Sequence, residues 1–373
     1  MADHAKLMPS AAHRWGGPTP CHGSVAMEAA VPEEEESAES REGTAAHWVA
    51  QMLLVAGWLP DAGETAPNGV VVDEEMREGA RLYVEYIRGV LGGRTPQNIE
   101  QRTLPGAIHE LCWGTPDADD MHDNVLDVFD YKYGHRFVEV FENEQLTCYA
   151  ADRLAGLDGL GDQLVQVRLH LVQPRSFHRD GPIRTWQTMA SDLRPLVNRL
   201  RGDAAASVQP GAPTAATPAN CRDCRARTRC DAAIAAGLDG VAVAGTSVPF
   251  DLTDSEAGRY LTLVKRAKAQ LEAMESGLEE QLIKAMLKGA FVPQWMLDPT
   301  KPRERWVVSA DEVFVMGDLL GKDLRAPPQP ITVSQARRMG IDESVISQYA
   351  ERPKGAVKLA PMDLTQARKV FSK

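Results

Sequence analysis

The 373-residue chain lacks any apolar run that approaches the roughly 20 residues needed to span a bilayer. Its first ten residues also lack the continuous apolar segment of a signal peptide. Both absences argue against a membrane or exported protein and predict a cytoplasmic one. Aromatic residues make up only 6% of the chain, but hydrophobic residues make up 43% and charged residues 25%, as in ordinary globular proteins. The length suffices for one large domain with an appendage or for two domains.

The chain also has no excess of basic residues. The net charge is −11, from 41 Lys and Arg against 52 Asp and Glu, which argues against a generally basic nucleic-acid coat. The acidic residues are concentrated in the first hundred positions, where Glu33 to Glu36 form a run, and the last fifty positions are net basic. Because a bound cation reverses the local field of an acidic site, the net charge does not exclude an enzyme that acts on DNA.

Cysteine is scarce, with six residues, but three of them form the cluster Cys221-x2-Cys224-x5-Cys230. Without an export signal, clustered cysteines indicate metal ligation and not disulfides. Cys21 is the candidate for a fourth thiolate. Four thiolates suit either Zn²⁺ or an iron–sulfur cluster, and the spacing does not separate the two. The other two, Cys112 and Cys148, are interpreted as small buried hydrophobic residues.

Hydrophobic periodicity predicts a helix–sheet–helix order between residues 41 and 201, which indicates an α/β core. The predicted helices cover 41–58, 73–91, 143–157 and 183–201. The predicted β-like runs cover 98–104, 108–113, 125–132, 136–140 and 164–172.

The chain after this core divides by composition. Residues 202–219 are rich in Ala, Pro and Gly and are predicted to form a linker. Thr253 to Glu256 have capping-box spacing and begin a predicted long helix that ends near residue 288, before a short hairpin at 291–308 and small helices. The predicted domains are a core at 1–235, closed by the four cysteines, and a mostly helical extension at 250–373.

The most informative motif is Asp-x-Lys at residues 130–132, which follows Gly-x-x-Asp at 114–117. Side chains alternate between the faces of a strand, so Asp130 and Lys132 share a face, and a hairpin can bring Asp117 beside them. Converging carboxylates favour a hard cation such as Mg²⁺ or Mn²⁺ between them. A lone Asp-x-Lys is usually a solvated surface pair. Asp127 is expected at an exposed or packing edge and not as a ligand.

Two further patterns strengthen the interpretation of this motif as a functional site. His47 follows Glu42 in an Ala-rich predicted helix, although a lone histidine in such a place is more often a hydrogen-bonded core residue. Gln145 and Tyr149 are four residues apart on another predicted helix and therefore share one face.

In this order the motifs resemble the RecB-like branch of the PD-(D/E)XK nucleases. The resemblance implies His47, Asp117 and Asp130 as ligands of Mg²⁺ or Mn²⁺, with the Tyr131 carbonyl nearby. It implies Lys132 as the catalytic lysine. The residues expected to contact DNA or to brace the site are Gln145, Tyr149 and Glu42.

Residues 10–15, 42–47 and 130–134 also resemble a phage and prophage protein family formerly of unknown function. The two resemblances cover about residues 10–235 and, more weakly, the C-terminal part. They imply a restriction-endonuclease-like α/β core, in which a central mixed sheet is flanked by helices.

The cysteine pattern resembles the iron–sulfur clasp of AddB-type and CRISPR-adaptation nucleases. This resemblance implies a [4Fe–4S] cluster on Cys21, Cys221, Cys224 and Cys230, with Zn²⁺ as the alternative. Such a clasp closes a loop of about 200 residues, which removes unfolded-state entropy. The interleaved arginines, which would contact phosphates, the cluster sulfurs or only solvent, are Arg222, Arg225, Arg227 and Arg229.

The leading functional hypothesis is a metal-dependent deoxyribonuclease, an exonuclease of phage recombination or DNA processing in a bacterial host cell. Its expected partners are DNA and a phage single-strand annealing protein, and a homo-oligomer is left open. The alternative is an inactive nucleic-acid- or protein-binding module that retains the fold and the cluster. A structural zinc protein with a coincidental acidic motif is the third hypothesis.

Overall fold

A five-stranded mixed sheet lies at the centre of the larger of two units in the computed structural model. Its strands are β1 (Asn98–Ile99), β2 (Ala118–His122), β3 (Val125–Tyr131), β4 (Gln166–Val172) and β5 (Ile183–Met189), in that spatial order. Only the β3–β4 pair is parallel. The predicted α/β core, with a central mixed sheet flanked by helices, is therefore confirmed.

The structure describes residues 5–32, 36–155, 164–176, 181–245, 252–299, 305–306, 308–326, 329–330, 333–338, 340–351 and 357–361. One unit consists of Met1–Glu35 with Leu82–Leu278, and the other of Glu36–Arg81 with Glu279–Lys373. The domain boundaries expected from composition stay a prediction. The basic residues after position 361 lie outside the described residues.

A 3-10 turn, Pro9–Ala11, precedes the helices. In chain order the described helices are α1 (Ala12–Trp15), α2 (Ser24–Ala29), α3 (Ala38–Ala56), α4 (Glu74–Val90), α5 (Glu144–Leu154), α6 (Ala190–Ser207), α7 (Pro218–Cys221), α8 (Asp231–Gly245), α9 (Asp254–Leu287), α10 (Ala310–Leu319), α11 (Val333–Arg338) and α12 (Glu343–Tyr349). None of the helices in the described part combines the length and apolarity of a membrane span.

A two-residue turn joins β2 to β3. Asp123 and Asn124 have φ of 47° and 59°, the left-handed conformation that such a hairpin turn needs and that Asp and Asn tolerate. The parallel step from β3 to β4 requires a crossover, and α5 lies in it. This crossover brings α5 against the sheet face that carries Leu126, Val128 and Asp130.

The two faces of β3 have different neighbours. On the Val128 face, α5 and α6 contribute Leu146, Tyr149 and Leu193 to one apolar cluster with the strands. On the opposite face, Tyr131 packs against Tyr83 of α4, with ring centroids 5.0 Å apart. The sheet is therefore covered by helices on both sides, and Asp130 lies on the α5 side.

Several predicted elements differ from the observed ones. The predicted helix 183–201 is β5 followed by α6, because residues 183–189 pair along their whole length with β4. Residues 108–113 and 136–140 form no strand, because no neighbouring strand pairs with them. Of the predicted run 98–104, only residues 98–99 form a strand. The strand Ala118–His122 was not predicted. Residues 202–207 of the predicted linker belong to α6, and residues 218–219 belong to α7.

Asp127 does not lie at an exposed edge as predicted, and the prediction that it is not a metal ligand stays a prediction. This carboxylate is buried, and it accepts two hydrogen bonds of 2.6 Å from Arg168 and one of 2.7 Å from His170. These partners come from the neighbouring strand β4, so burial here is compensated by paired charge.

The long helix α9 begins as predicted. Thr253 N donates to Glu256 Oε2 at 2.9 Å, and Glu256 N donates to Thr253 Oγ1 at 3.4 Å, which is a capping box. The predicted hairpin 291–308 is wrong in its described part. Strand β6 (Trp295–Pro299) pairs with β11 (Val357–Pro361), and β7 (Arg305–Trp306) pairs with β10 (Ala350–Glu351). The remaining described strand pair is β8 (Arg325–Ala326) with β9 (Gln329–Pro330).

Candidate active site and four-cysteine pocket

The end of β3 and the first turns of α5 form a connected polar chain. Lys132 Nζ donates to Asp130 Oδ1 at 3.0 Å and to Gln145 Oε1 at 3.2 Å. Gln145 Nε2 in turn donates to Asp130 Oδ1 at 3.1 Å and to the Tyr149 hydroxyl at 3.2 Å. The structure therefore brings together four of the residues that the sequence singled out, and Gln145 orients both members of the Asp-x-Lys motif.

Asp117 lies just before β2 and reaches the same strand end. Its Oδ2 accepts a hydrogen bond of 2.5 Å from the Tyr131 backbone N–H, one residue after Asp130. Gly114, three residues earlier, has no room for a side chain, since a Cβ there would lie 2.7 Å from Tyr149 Cε1. The glycine of Gly-x-x-Asp thus permits close contact with the ring of the Gln-x-x-x-Tyr motif.

Glu100 is a candidate residue that sequence reasoning missed. Its backbone N–H donates to the Asp117 carbonyl at 3.1 Å, and a carboxylate oxygen of each residue lies within 4.8 Å of the other. The residue follows β1 with a left-handed φ of 49°, which turns the chain out of the strand. The sequence contains one signal that could have placed Glu100 beside Asp117. The β-like run that contains Glu100 is the natural antiparallel partner of the segment that ends in Asp117.

Negative charge accumulates at this point. Tyr83, fully buried under the sheet, has a pKa raised well above its ordinary value, first by burial and then by Asp117, Asp130 and Glu100. The pKa of Lys132 is also raised. Burial opposes its charge most strongly, but the attraction of Asp130 and Asp117 outweighs burial. Only 3% of Asp130 is exposed, so little water screens this carboxylate, whereas Asp117 and Glu100 are half-buried.

The oxygen-rich donor set suits a hard divalent cation. Glu100, Asp117 and Asp130 supply carboxylates, the ligands that Mg²⁺ and Mn²⁺ prefer. Such an ion would relieve the repulsion among them, for which Lys132 is the compensating cation observed at Asp130.

His47 and Glu42 lie on α3 in the smaller unit, where both are half-buried and where Ala45, Ala46 and Val49 are buried. Their roles stay predictions, as does that of the Tyr131 carbonyl.

The four cysteines of the predicted clasp line one pocket. The pocket encloses about 310 Å³, including solvent at its mouth, and its cysteines are Cys21, Cys221, Cys224 and Cys230. The N–H of Ala215 donates to Cys21 Sγ at 3.2 Å, so a backbone amide already points at one of the sulfurs. Burial raises the pKa of the Cys221 thiol and raises that of Cys224 to about 11. Four thiols lining one pocket are the donor type that a thiolate-bound metal centre would need, and whether a metal binds there stays a prediction.

Hydrogen bonds join the two sequence regions that line the pocket. Gly23 N donates to the Pro213 carbonyl at 2.8 Å, and Asn220 Nδ2 donates to the Thr19 carbonyl at 2.8 Å. These hydrogen bonds attach the N-terminal segment to the region after α6.

The interleaved arginines do not share one role. Arg227 is buried and donates to the Cys224 carbonyl at 3.1 Å, and Arg225 lies against Glu28. Arg222 and Arg229 are exposed.

The two cysteines outside the pocket, Cys112 and Cys148, are fully buried in an apolar cluster between α1, α5 and α6, as interpreted from the sequence.

Comparison with models of protein families assigns the chain to a family. Residues 4–363 match the family model described as "Protein of unknown function (DUF2800)". The chain belongs to this family. Among solved structures, it is similar to the "Putative exonuclease" from Eubacterium rectale, with 11% sequence identity and a TM-score of 0.34 over 66% of this chain and 90% of that one.

Proposed function

We propose that this member of the family is a divalent-metal-dependent deoxyribonuclease, and specifically an exonuclease. The observation that carries the proposal is the connected set of Asp130, Lys132, Gln145 and Tyr149, with the Asp117 and Glu100 carboxylates beside it. A metal held by carboxylates supplies an activated water and polarises a phosphoryl oxygen. The residues proposed to hold it are Glu100, Asp117, Asp130, His47 and the Tyr131 carbonyl.

The remaining residues act on the substrate and on one another. Lys132 places a positive charge at the site of the scissile phosphate, where negative charge develops during hydrolysis. Gln145 holds the Lys132 and Asp130 side chains through its two ends, which keeps the lysine directed at the site before DNA binds. Tyr149 fixes the Gln145 amide in turn. These hydrogen bonds favour a preorganised catalytic centre over a solvated surface pair.

We propose that the four-cysteine pocket holds a [4Fe–4S] cluster with a structural role, Zn²⁺ being the alternative. The phage context, the annealing-protein partner, the bacterial cytoplasm and the helical extension at 250–373 are predictions of the resemblance and of composition, and the oligomeric state is left open.

Digestion of end-labelled single- and double-stranded DNA by protein purified without oxygen tests the proposal. We expect cleavage with Mg²⁺ or Mn²⁺ and none with a chelator. Asp117→Asn and Lys132→Met should remove cleavage. Asp123→Asn is the matched control, because Asp123 is an exposed carboxylate in the turn between the same two strands.

Two outcomes would contradict the proposal, the first its assigned residues and the second the enzymatic activity itself. Cleavage that persists in the Asp117 and Lys132 variants would assign the activity elsewhere. Tight DNA binding without cleavage under both metals would favour the binding-module alternative.

A further inference from the structure

Gln270 of α9 is a buried amide that makes no hydrogen bond of normal geometry with the described residues. Only 3% of the residue is exposed, and neither Nε2 nor Oε1 has a hydrogen-bond partner in the described structure. Burying an amide in this state is costly, so native proteins rarely leave both ends unsatisfied. Such a side chain indicates a polar group that completes its surroundings.

The position of Gln270 shows where that group lies. The amide lies in polar contact with the Cys221 thiol, although the geometry is not that of a normal hydrogen bond. Cys221 lines the four-cysteine pocket, and Ala273, one helical turn after Gln270, packs in a cluster with Cys221 and Ala233. The buried amide therefore lies next to one of the cysteines that line the pocket.

The same face of α9 approaches the cysteine segment closely. A Cβ at Gly277 would lie 2.6 Å from Arg227 Nε and 2.8 Å from Thr228 Cγ2. Positions 270, 273 and 277 follow helical spacing, and the last two carry small residues. This close packing holds the Gln270 backbone at a fixed distance from the residues between Cys224 and Cys230.

We propose that Gln270 donates an N–H hydrogen bond to a sulfur of the metal centre in the four-cysteine pocket and so makes α9 part of that centre. The inference rests on the proposed centre and adds a residue outside the Cys-x2-Cys-x5-Cys motif. Thiolate and sulfide sulfurs accept hydrogen bonds from amides, and such donors stabilise the negative charge on the sulfurs. The donor is the same whether the centre is [4Fe–4S] or Zn²⁺, and metal analysis separates these two.

Two substitutions of similar size distinguish a donor from a packing residue. Gln270→Leu removes the donor and also the unsatisfied amide. Gln270→Glu keeps the shape but replaces the donor with a negative charge beside anionic sulfurs. The matched control is Gln281→Glu, which introduces the same charge at an exposed position of the same helix.

The measurements are iron and zinc per chain after anaerobic purification, the rate of metal loss to a chelator, and the thermal midpoint. We expect both Gln270 variants to lose metal about 10- to 100-fold more readily than the wild type, with Gln270→Glu the more affected, and Gln281→Glu to match the wild type. For an iron–sulfur centre, the loss of the donor should also lower the reduction potential.

The outcomes distinguish the absence of a metal centre from the absence of a Gln270 hydrogen bond to it. Wild-type protein with neither iron nor zinc would refute the metal centre and this inference together. Wild-type protein with metal, combined with wild-type metal retention in Gln270→Leu and an equal or higher thermal midpoint, would refute the inference alone. A packing residue would give that second result, since leucine fills the space without an unsatisfied amide.

Discussion

Replacing Asp152 with asparagine should flatten the pH dependence of stability between pH 5 and pH 8. Asp152 lies on α5, one turn after Tyr149, and only 6% of the residue is exposed. Its Oδ2 accepts a hydrogen bond of 2.8 Å from Thr103 Oγ1, whose hydroxyl oxygen also accepts from the Gly114 N–H at 3.2 Å. Burial raises the pKa of this carboxyl from 3.8 to about 7, although Thr103 and Arg153 act in the opposite direction.

The direction of the effect follows from proton linkage. A carboxyl with a raised pKa binds its proton more tightly in the folded state than in the unfolded chain. Its contribution to stability is complete below about pH 3.8 and is lost as the pH rises through about 7. With these two values the contribution is about 2 to 3 kcal/mol at pH 5 and close to zero at pH 8.

Urea denaturation at pH 5, 6, 7 and 8 measures this contribution. The free energy of unfolding of the wild type, relative to Asp152→Asn, should fall by about 2 to 3 kcal/mol from pH 5 to pH 8. Other titrating groups occur in both proteins and cancel in the difference. The control is Asp239→Asn, at an exposed position of α8, which should run parallel to the wild type. Parallel curves for wild type and Asp152→Asn would refute the reasoning, because they would mean that Asp152 is ionised in the folded state across this range.

Four further predictions concern the site, the pocket and the sheet. Asp117→Asn, Asp130→Asn and Lys132→Met should each lower the cleavage rate at least ~10²-fold; a variant that keeps near-normal cleavage contradicts its assigned role. Because an imidazole ligand favours Mn²⁺, the wild type should cleave at least as fast with Mn²⁺ as with Mg²⁺, and His47→Ala should reduce this preference in parallel rate assays. Cys221→Ala should lower the thermal midpoint or cause aggregation, since metal binding is coupled to folding; unchanged melting with altered activity would instead indicate a regulatory centre. Burial lowers the pKa of His170 below 6.5 despite its bond to Asp127, so stability should decline as the pH falls through 6.5, and thermal melts of His170→Gln between pH 5 and 7 should show a shallower decline.

The parts of the site that could be predicted from the sequence are pairs of residues only a few positions apart. Lys132 is two residues after Asp130, immediately beyond the end of β3, and Gln145 and Tyr149 are four apart on one helix, so backbone periodicity places each pair on one face. The capping box at Thr253 and Glu256 is equally local. Such features depend on a few residues' dihedral angles and survive any change in the rest of the fold.

Only the tertiary structure decided which of these faces meet and what lies between them. Glu100 reaches Asp117 through antiparallel pairing of segments about 20 residues apart, and Asp127 is buried because β4 presents Arg168 and His170 to it. Residues 183–189 form a strand because β4 offers an open edge, which outweighs local preference. Gln270 lies beside Cys221 although about 50 residues separate them in the sequence, and no motif marks this contact. Hydrogen bonding and packing between distant segments have no period in the sequence, so these contacts are visible only once the chain is folded.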